Sequence, residues 1–473
     1  MAENKKGIDN ILNKECDRRT ALKIMAAGGA GVLFSGSLLE SCKGSTAKAT
    51  PAPKMAAGAN DKITSAHWNT TGDTVGLLGL GCMRLPQQGG QQGGFGGGFG
   101  RGGAIDQEQV NAMVDYALAH GINYFDTAPA YNGSEAAMGI ALARHPRESY
   151  LLATKMSNFN GGTADAAKQM FNTSLERLQT TYIDYFLLHG ASSKRDMDNR
   201  FVNNGVMDFI QGEKKAGRIK HIGFSFHGSR SDMDYMLSLH SKYHWDFIQI
   251  QMNYVDWEAA SARNADARYL YESIYKLGIP IVVMEPIRGG ALANVHDKFR
   301  EMMAEAHPEL SPAGMALSFV ASYPGIMTVL SGMSNMEQMT ENVATFTNFK
   351  ALSQQDRDLL LKIARMQREN STIGCTACRY CMPCGYGVDI PGNFQIYDKS
   401  ANDYCLPNPE GEHDKDYAKN RRAFLNKYNS LDASARADKC ASCRACVSKC
   451  PQHIDIPTQL NKIRDLVSVL EKG

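Results

Sequence analysis

The sequence predicts an α/β protein: a closed (β/α)8 barrel of the TIM type, followed by a smaller cysteine-rich region. Three observations carry this expectation. From Thr74 onward, eight short apolar runs alternate with segments of helical period, the rhythm of a parallel α/β fold. The chain has 473 residues, enough for a barrel of roughly 250 to 300 residues plus an appendage. Finally, nine of the 12 cysteines lie between Cys375 and Cys450, eight of them in two tight clusters. Such crowding suits metal ligation, because disulfide frameworks space their cysteines more widely.

The amino-terminal 17 residues are polar, and Arg18-Arg19-Thr20-Ala21-Leu22-Lys23 leads into a Gly/Ala-rich, weakly apolar stretch from Ile24 to Leu39. That pattern resembles a twin-arginine export signal, and the stretch falls short of the about 20 apolar residues that a membrane span requires. Leu39-Glu40-Ser41-Cys42 resembles a lipobox, with Glu40 departing from its usual small or apolar residue. Together these imply export to the periplasm, or a membrane-anchored lipoprotein with a lipid anchor at Cys42. The alternative is a buried amphipathic helix that begins the fold. Residues 1–42 are thus read as the signal and 43–73 as a flexible linker.

The eight strands are expected at Gly76–Gly81, Asn123–Asp126, Tyr150–Lys155, Tyr182–His189, Ile219–Ser225, Phe247–Gln251, Ile279–Met284 and Met327–Gly332. Helices fall between them, such as Asp106–His120, where Val110, Met113, Val114, Ala117 and Leu118 recur at three- and four-residue spacing, and Ala164–Gln179. The barrel then spans 74–350 and the cysteine region 351–473. A Gly-rich segment, 87–103, interrupts the rhythm after the first strand. It has too few apolar groups to offset its ordering entropy, which predicts a mobile loop at the active-site face. A phosphate-cradling loop is the alternative, but Gly-Lys-Ser/Thr is missing. Lys+Arg 51 against Asp+Glu 49 leaves +2, and no basic run interleaves with aromatics. Nucleic acid is therefore excluded as a partner.

Four polar residues stand at the carboxyl ends of consecutive expected strands or just beyond: Asp126 and Tyr131 in Tyr124-Phe125-Asp126-Thr127-Ala128-Pro129-Ala130-Tyr131, Lys155 in Leu152-Ala153-Thr154-Lys155, and His189 in Phe186-Leu187-Leu188-His189. In a parallel barrel that end carries the chemistry. Taken singly, Asp126 could cap a helix and His189 could be a hydrogen-bonded strand-end histidine. In this order the four resemble the Asp, Tyr, Lys, His tetrad of the aldo/keto reductase family, over roughly Thr74 to Phe349. The resemblance implies that Tyr131 is the acid/base for hydride transfer to a carbonyl, that Lys155 lowers the tyrosine pKa, that Asp126 anchors Lys155, and that His189 orients the substrate oxygen. Tyrosine needs such help because its ordinary pKa is about 10.

The same resemblance implies NAD(P) as cofactor. Ser225 in Gly223-Phe224-Ser225-Phe226-His227-Gly228 and Gln251 in Gln249-Ile250-Gln251-Met252-Asn253-Tyr254 would hold the nicotinamide carboxamide. The segment 331–342, with Gly332, Ser334, Gln338, Glu341 and Asn342, would bind the adenosine phosphates at a helix amino terminus, Asn342 toward adenine. A solvated helix cap is the alternative reading of that segment. Phe226 and His227 replace the usual asparagine after the serine, and Met284-Glu285 replaces the usual Tyr-Ser. No Lys or Arg lies in 332–342 to pair a 2′-phosphate, which leaves NAD and NADP both open.

Cys375-x2-Cys378-x2-Cys381-x2-Cys384 and Cys440-x2-Cys443-x2-Cys446-x3-Cys450-Pro451 resemble bacterial dicluster ferredoxin motifs, which implies a ferredoxin-like region with two [4Fe-4S] clusters. In that family the fourth cysteine of each motif serves the partner cluster, pairing Cys375, Cys378 and Cys381 with Cys450, and Cys440, Cys443 and Cys446 with Cys384. The first motif departs by having Gly385 where proline is usual, and some 55 residues with Cys405 and a polar helix near Asp416–Tyr428 separate the two. Structural zinc is the alternative. The whole reads as an NAD(P)-dependent oxidoreductase that interconverts a small-molecule carbonyl and alcohol and carries clusters for electron transfer. A nicotinamide exchanges two electrons and a cluster one, so a flavin- or quinone-linked redox partner is expected. An electron-transfer subunit, or a nicotinamide-binding redox sensor with little turnover, is the alternative.

Overall fold

A computed structural model describes residues 61–90, 104–259, 264–369, 372–375, 377–409, 417–452 and 454–472. The twin-arginine segment, Cys16, Cys42 and most of the Gly-rich insertion lie outside the described residues. Eight parallel strands close into a barrel: β3 (Leu78–Gly81), β4 (Tyr124–Asp126), β5 (Leu151–Met156), β6 (Ile183–Leu188), β7 (Ile219–Phe226), β8 (Phe247–Gln251), β9 (Ile281–Met284) and β10 (Ile326–Ser331), with β10 pairing back onto β3. All eight coincide with the expected runs to within a few residues at the ends. Their apolar character on both faces follows from enclosure between a packed interior and a helical coat.

Before the barrel, β1 (Ser65–Trp68) and β2 (Asp73–Gly76) form an antiparallel hairpin, Ser65 opposite Gly76 and Trp68 opposite Asp73. This corrects the expectation of a flexible linker through residue 73. The hairpin covers the amino-terminal end of the barrel: Trp68 packs against an interior plug that includes Val75, Tyr124, Tyr185, Phe247 and Val282. Asp73 accepts from Tyr185 Oη at 2.8 Å and pairs with His221 Nε2 at 3.2 Å. Its exposed, polar outer face is why no apolar run announces it.

The barrel helices are α1 (Gln107–Ala119), α2 (Ser134–Leu142), α3 (Ala164–Arg177), α4 (Val206–Lys215), α5 (Arg230–Ser238), α6 (Ala267–Tyr275), α7 (Asp297–Ala306), α8 (Pro312–Ala321), α9 (Met336–Phe346) and α10 (Gln354–Glu369). Helix α1 buries Val110, Met113, Val114 and Ala117, and Asp106 caps it by accepting from Gln109 N. Between α2 and α3 the backbones touch. A Cβ on Gly139 would sit 2.0 Å from the Arg177 carbonyl oxygen, so only glycine fits there. Helix α10 places Leu360, Leu361, Ile363 and Ala364 in the barrel's core, so the barrel extends past residue 350. The stems of the Gly-rich insertion are joined, with Gln87 bridged to Ile105 and Gln88 N donating to Ala104 O.

A second apolar core joins α11 (Ile390–Asn402), α12 (Tyr417–Asn429) and α13 (Ile456–Lys472) through residues such as Ile390, Phe394, Phe424, Tyr428, Leu460 and Ile463. The expected polar helix is α12. Six of the clustered cysteines pack against this core: Cys375, Cys381, Cys384, Cys440, Cys446 and Cys450.

Candidate active site and cysteine region

The carboxyl ends of β4, β5 and β6 bring the four expected residues together. Lys155 Nζ donates to Asp126 Oδ1 at 2.6 Å and to the Thr127 carbonyl at 2.8 Å. Both ionic side chains are buried, Lys155 1% and Asp126 2% exposed. The ammonium lies 4.9 Å from the Tyr131 ring centre, and that ring meets His189 edge-on at 5.8 Å. Asp126 Oδ2 is buried without a partner.

Burial decides the titration of this group. It pushes the Tyr131 hydroxyl above its usual value, with the Lys155 charge opposing and the Asp126 charge adding. The Lys155 ammonium acts in the expected direction, lowering the value, but burial outweighs it. Burial likewise raises Asp126 against the pull of Lys155. For Lys155, burial alone would lower the pKa, but Asp126 and Tyr131 outweigh it and hold the amine charged. His189 is driven down to about 2 by burial, helped by the charges of Lys155, Arg200 and His227. Its ring is neutral at any working pH.

Sequence reasoning missed the groups that hold His189. Ser157 Oγ is 2.6 Å from His189 Nδ1. Arg200, 6% exposed, donates to the carbonyls of His189 at 2.5 Å and Gly190 at 2.9 Å. It sits in a π-helical turn, Asp198–Val202, a geometry often found at functional sites, and no pattern of apolar spacing reports it.

Ser225, near the end of β7, accepts from Gly190 N at 2.9 Å. Gln251, ending β8, donates to Asp256 at 2.7 Å and accepts from Asn264 Nδ2 at 2.9 Å, while Asn264 Oδ1 lies 3.3 Å from His227 Nδ1. An asparagine thus does reach this corner, from the loop after β8 rather than beside Ser225. After β10, Ser334 N donates to Gln338 Oε1 and Ser334 Oγ to the Arg84 carbonyl, both at 2.8 Å. Asn335 caps α9 by accepting from Gln338 N. Asn342 is buried and donates inward to Ser331 Oγ at 3.0 Å, not outward as expected for an adenine contact. Glu341 lies at the midpoint of α9, half-buried. Although 332–342 holds no cation, Arg84 from the Cys82–Arg84 turn after β3 supplies one: a Cβ on Gly332 would lie 3.5 Å from Arg84 Cδ. Its signal in the sequence was its place directly after a barrel strand.

The cysteines fall into two sets. Cys375, Cys378 and Cys381 line one cleft with Cys450 and Pro451. The thiol of Cys446 has Cys440, Cys443 and Cys384 as its electrostatic neighbours, and burial raises it. Among the described residues no group of three or more His, Cys, Asp or Glu is gathered so as to hold a metal ion, and Cys405 stands apart, donating to the Asp403 carbonyl. The two cysteine loops share one backbone. Ala377 and Arg379 have φ of 54° and 63°, and their counterparts Ser442 and Arg444 the same values, uncommon for residues other than glycine. Ala377 N donates to Cys375 Sγ and Ser442 N to Cys440 Sγ, each at 3.4 Å. Arg379 pairs with Asp389 at 3.5 Å, and Arg444 with Asp455 at 3.3 Å. Cys-x2-Cys-Arg-x-Cys followed by Asp-Ile-Pro at a helix start occurs twice, a duplication overlooked when only the cysteines are counted.

The sequence model of the Aldo/keto reductase family matches residues 78–365, more than half of the 473. The chain is 25% identical to the L-galactose dehydrogenase of Arabidopsis thaliana over 280 residues, 54% of this chain and 84% of that protein. Among solved structures, the holo form of an aldo-keto reductase from Bacillus halodurans is similar at TM-score 0.50 and 23% identity, over 64% of this chain and 96% of that one. An aldo-keto reductase from Klebsiella pneumoniae in complex with NADPH is similar at TM-score 0.50 and 20% identity, over 64% and 95%.

Proposed function

The chain belongs to the aldo/keto reductase family and is an oxidoreductase, and on that premise we propose that it interconverts a small-molecule carbonyl and its alcohol with NAD(P). The carrying observation is the buried Asp126–Lys155 pair facing Tyr131, with a neutral His189 beside it. When bound, the nicotinamide supplies the hydride to the carbonyl carbon and is itself oxidised. Tyr131 gives its hydroxyl proton to the carbonyl oxygen, which balances the alcohol formed. Lys155 stabilises the tyrosinate left behind, and Asp126 keeps the ammonium charged and in place. A Ser157 hydroxyl donating to His189 Nδ1 leaves the imidazole proton on Nε2, free to hydrogen-bond the substrate oxygen. Ser225 and Gln251 are the residues that would hold the carboxamide, with Asp256 and Asn264 fixing Gln251. Gly332, Ser334, Gln338, Glu341 and Arg84 are the residues that would hold the phosphates and adenosine, where the α9 amino terminus favours an anion, while the Asn342 amide is spent inward on Ser331. Aldehyde-dependent oxidation of NADPH or NADH by the purified protein tests this reading; a protein that binds nucleotide and turns over no carbonyl compound contradicts it.

The titrations set a pH profile. Tyr131 is raised above its usual value of 10, so the proton-bearing form needed for reduction persists throughout the neutral range. Reduction is expected to stay flat between about pH 6 and 9, since neither Tyr131 nor the neutral His189 changes charge there. Alcohol oxidation needs the tyrosinate and should rise with pH across the same range. An acid limb near 6.5 in kcat/KM for reduction would show that His189 titrates.

For the carboxyl-terminal region we propose two [4Fe-4S] clusters, each a one-electron carrier: Cys375, Cys378, Cys381 and Cys450 hold one, and Cys440, Cys443, Cys446 and Cys384 the other. The paired positive-φ loops support this, because each turns a backbone N–H onto a cysteine sulfur, a contact that favours the thiolate a cluster needs. Anaerobically prepared protein should contain about eight iron atoms. Stoichiometric zinc without iron or sulfide would contradict the assignment. From the sequence alone, we propose export by the twin-arginine route with nucleotide already bound, and electron exchange with a flavin- or quinone-linked partner.

A further inference from the structure

The two cysteine loops share a backbone but not a surface. Their matched left-handed residues and N–H···S contacts make them alike as cradles, so charge that one carries and the other lacks is not demanded by ligation. Around the first loop, residues 372–403 hold two Lys and Arg against three Asp. One of those acids ties the loop down: Asp398 accepts from Ile373 N at 2.5 Å and from Cys375 N at 3.2 Å. Around the second, residues 417–450 hold eight Lys and Arg against two Asp, while acids outnumber bases over the rest of the chain. There Cys440 N donates instead to the Ala437 carbonyl at 3.1 Å.

Most of these cations face outward. Helix α12 buries Phe424 and Tyr428 and leaves Lys419, Arg422 and Lys427 exposed on its opposite side. Its carboxyl end is fastened to the cysteine loop: Arg436 donates to the Asn429 carbonyl at 2.7 Å and the Leu431 carbonyl at 3.1 Å, and Ala437 N donates to Tyr428 Oη at 3.1 Å. Bonds to neutral carbonyls leave the Arg436 charge in place. Exposed Lys439 and Lys449 flank Cys440, Cys443 and Cys446, of which Cys443 is itself exposed. Of the two acids, Asp438 pairs with Lys439 at 2.7 Å. No large apolar side chain is exposed between residues 417 and 450, whereas a membrane-surface helix sets apolar side chains beside its cations. Cations around a redox centre instead steer an oppositely charged protein into register.

We propose that this basic face, α12 with the loop of Cys440 to Cys446, is the docking surface for an acidic flavoprotein, and that electrons pass between the two proteins at the second cysteine motif. This rests on the two-cluster reading above. The partner meets the exposed edge at Cys443, beside the cluster assigned to Cys440, Cys443, Cys446 and Cys384. In the reducing direction an anionic flavin hydroquinone loses one electron and the oxidised cluster gains it, with no bond formed or broken.

The test uses the full chain prepared anaerobically, its iron content measured first, and an acidic FMN-bearing flavodoxin as probe. Titration calorimetry should give a Kd that weakens by at least about 10-fold between about 20 and 300 mM salt. Reversing three exposed charges together, Lys419→Glu, Arg422→Glu and Lys427→Glu, should weaken flavodoxin binding at low salt by at least about 10-fold. Cluster reduction by flavodoxin hydroquinone should slow in proportion, with iron content and reduction by dithionite unchanged. Lys399→Glu, exposed on α11 near the first loop, should leave binding as it is. No binding at low salt, binding indifferent to salt, or an equal loss in Lys399→Glu would overturn the docking surface. So would capture of the chain by phosphatidylglycerol vesicles, lost in the triple variant, with no affinity for flavodoxin. Protein that contains no iron is the distinct failure of the cluster reading, and it overturns this proposal as well.

Discussion

Tyr131→Phe is expected to lower carbonyl reduction by at least about 100-fold while nucleotide binding is retained, the usual worth of a positioned proton donor. The substitution removes one oxygen atom and keeps the ring that meets His189 edge-on and lies under the Lys155 ammonium. Packing is preserved, so the loss is in kcat rather than in stability. Among the described residues no nearby group replaces it. His189 is neutral with a pKa of about 2, Cys82 is a buried thiol raised by desolvation, and Lys155 is committed to Asp126 and the Thr127 carbonyl. Steady-state rates with a generic aldehyde and nucleotide titration of the variant check this. A variant that reduces aldehydes at the parent rate removes Tyr131 from the mechanism.

Lys155→Met is expected to abolish turnover to a similar degree and, unlike the tyrosine change, to destabilise the fold by about 3–5 kcal/mol, because it strands a carboxylate in a buried site. Asp126 already has a raised pKa, from burial and against the opposing charge of Lys155. Without that charge its folded pKa climbs further above the unfolded value of about 3.9. The unfolded chain then releases its proton first, so the variant loses stability as pH rises from about 4 through the folded pKa and is most stable in acid. Adding Asp126→Asn should recover most of the stability and none of the activity. Denaturant unfolding at two pH values and rate measurements on the three variants separate the two effects. A single variant whose stability is independent of pH would show that Asp126 is not stranded.

Much of this architecture could be read in the residues because each barrel strand is an apolar run with a polar residue at its carboxyl end: Asp126 after Tyr124-Phe125, and His189 after Leu187-Leu188. Order along the chain then becomes adjacency in space, which is how four residues spread over 64 positions meet. What stayed hidden depends on contacts that no local pattern encodes. Arg200 reaches back to the His189 carbonyl from a π turn, and Asn264 reaches Gln251 from the far side of a loop. Arg84 meets Gly332 only because β3 and β10 are neighbours in the closed ring. The hairpin Ser65–Gly76 is polar on its outer face and reads as a tether. The balance of the Tyr131 titration is hidden for a related reason. A neighbouring ammonium is visible in the sequence, whereas the extent of burial that outweighs it is a property of the packed site.

The hairpin of β1 and β2 also bears on the order of events in solution. With Trp68 and the plug around Tyr185 and Phe247 covering the amino-terminal end of the barrel, the described residues leave the carboxyl-terminal end for both reactants of the proposed reaction. Whichever reactant sits deeper must arrive first and depart last. Ser225 and Gln251, proposed to hold the carboxamide at the ends of β7 and β8, lie on the barrel wall itself, whereas Phe159 is on the loop beyond β5. On the function proposed above, nucleotide would enter first, carbonyl compound follow, alcohol leave, and the spent nucleotide go last.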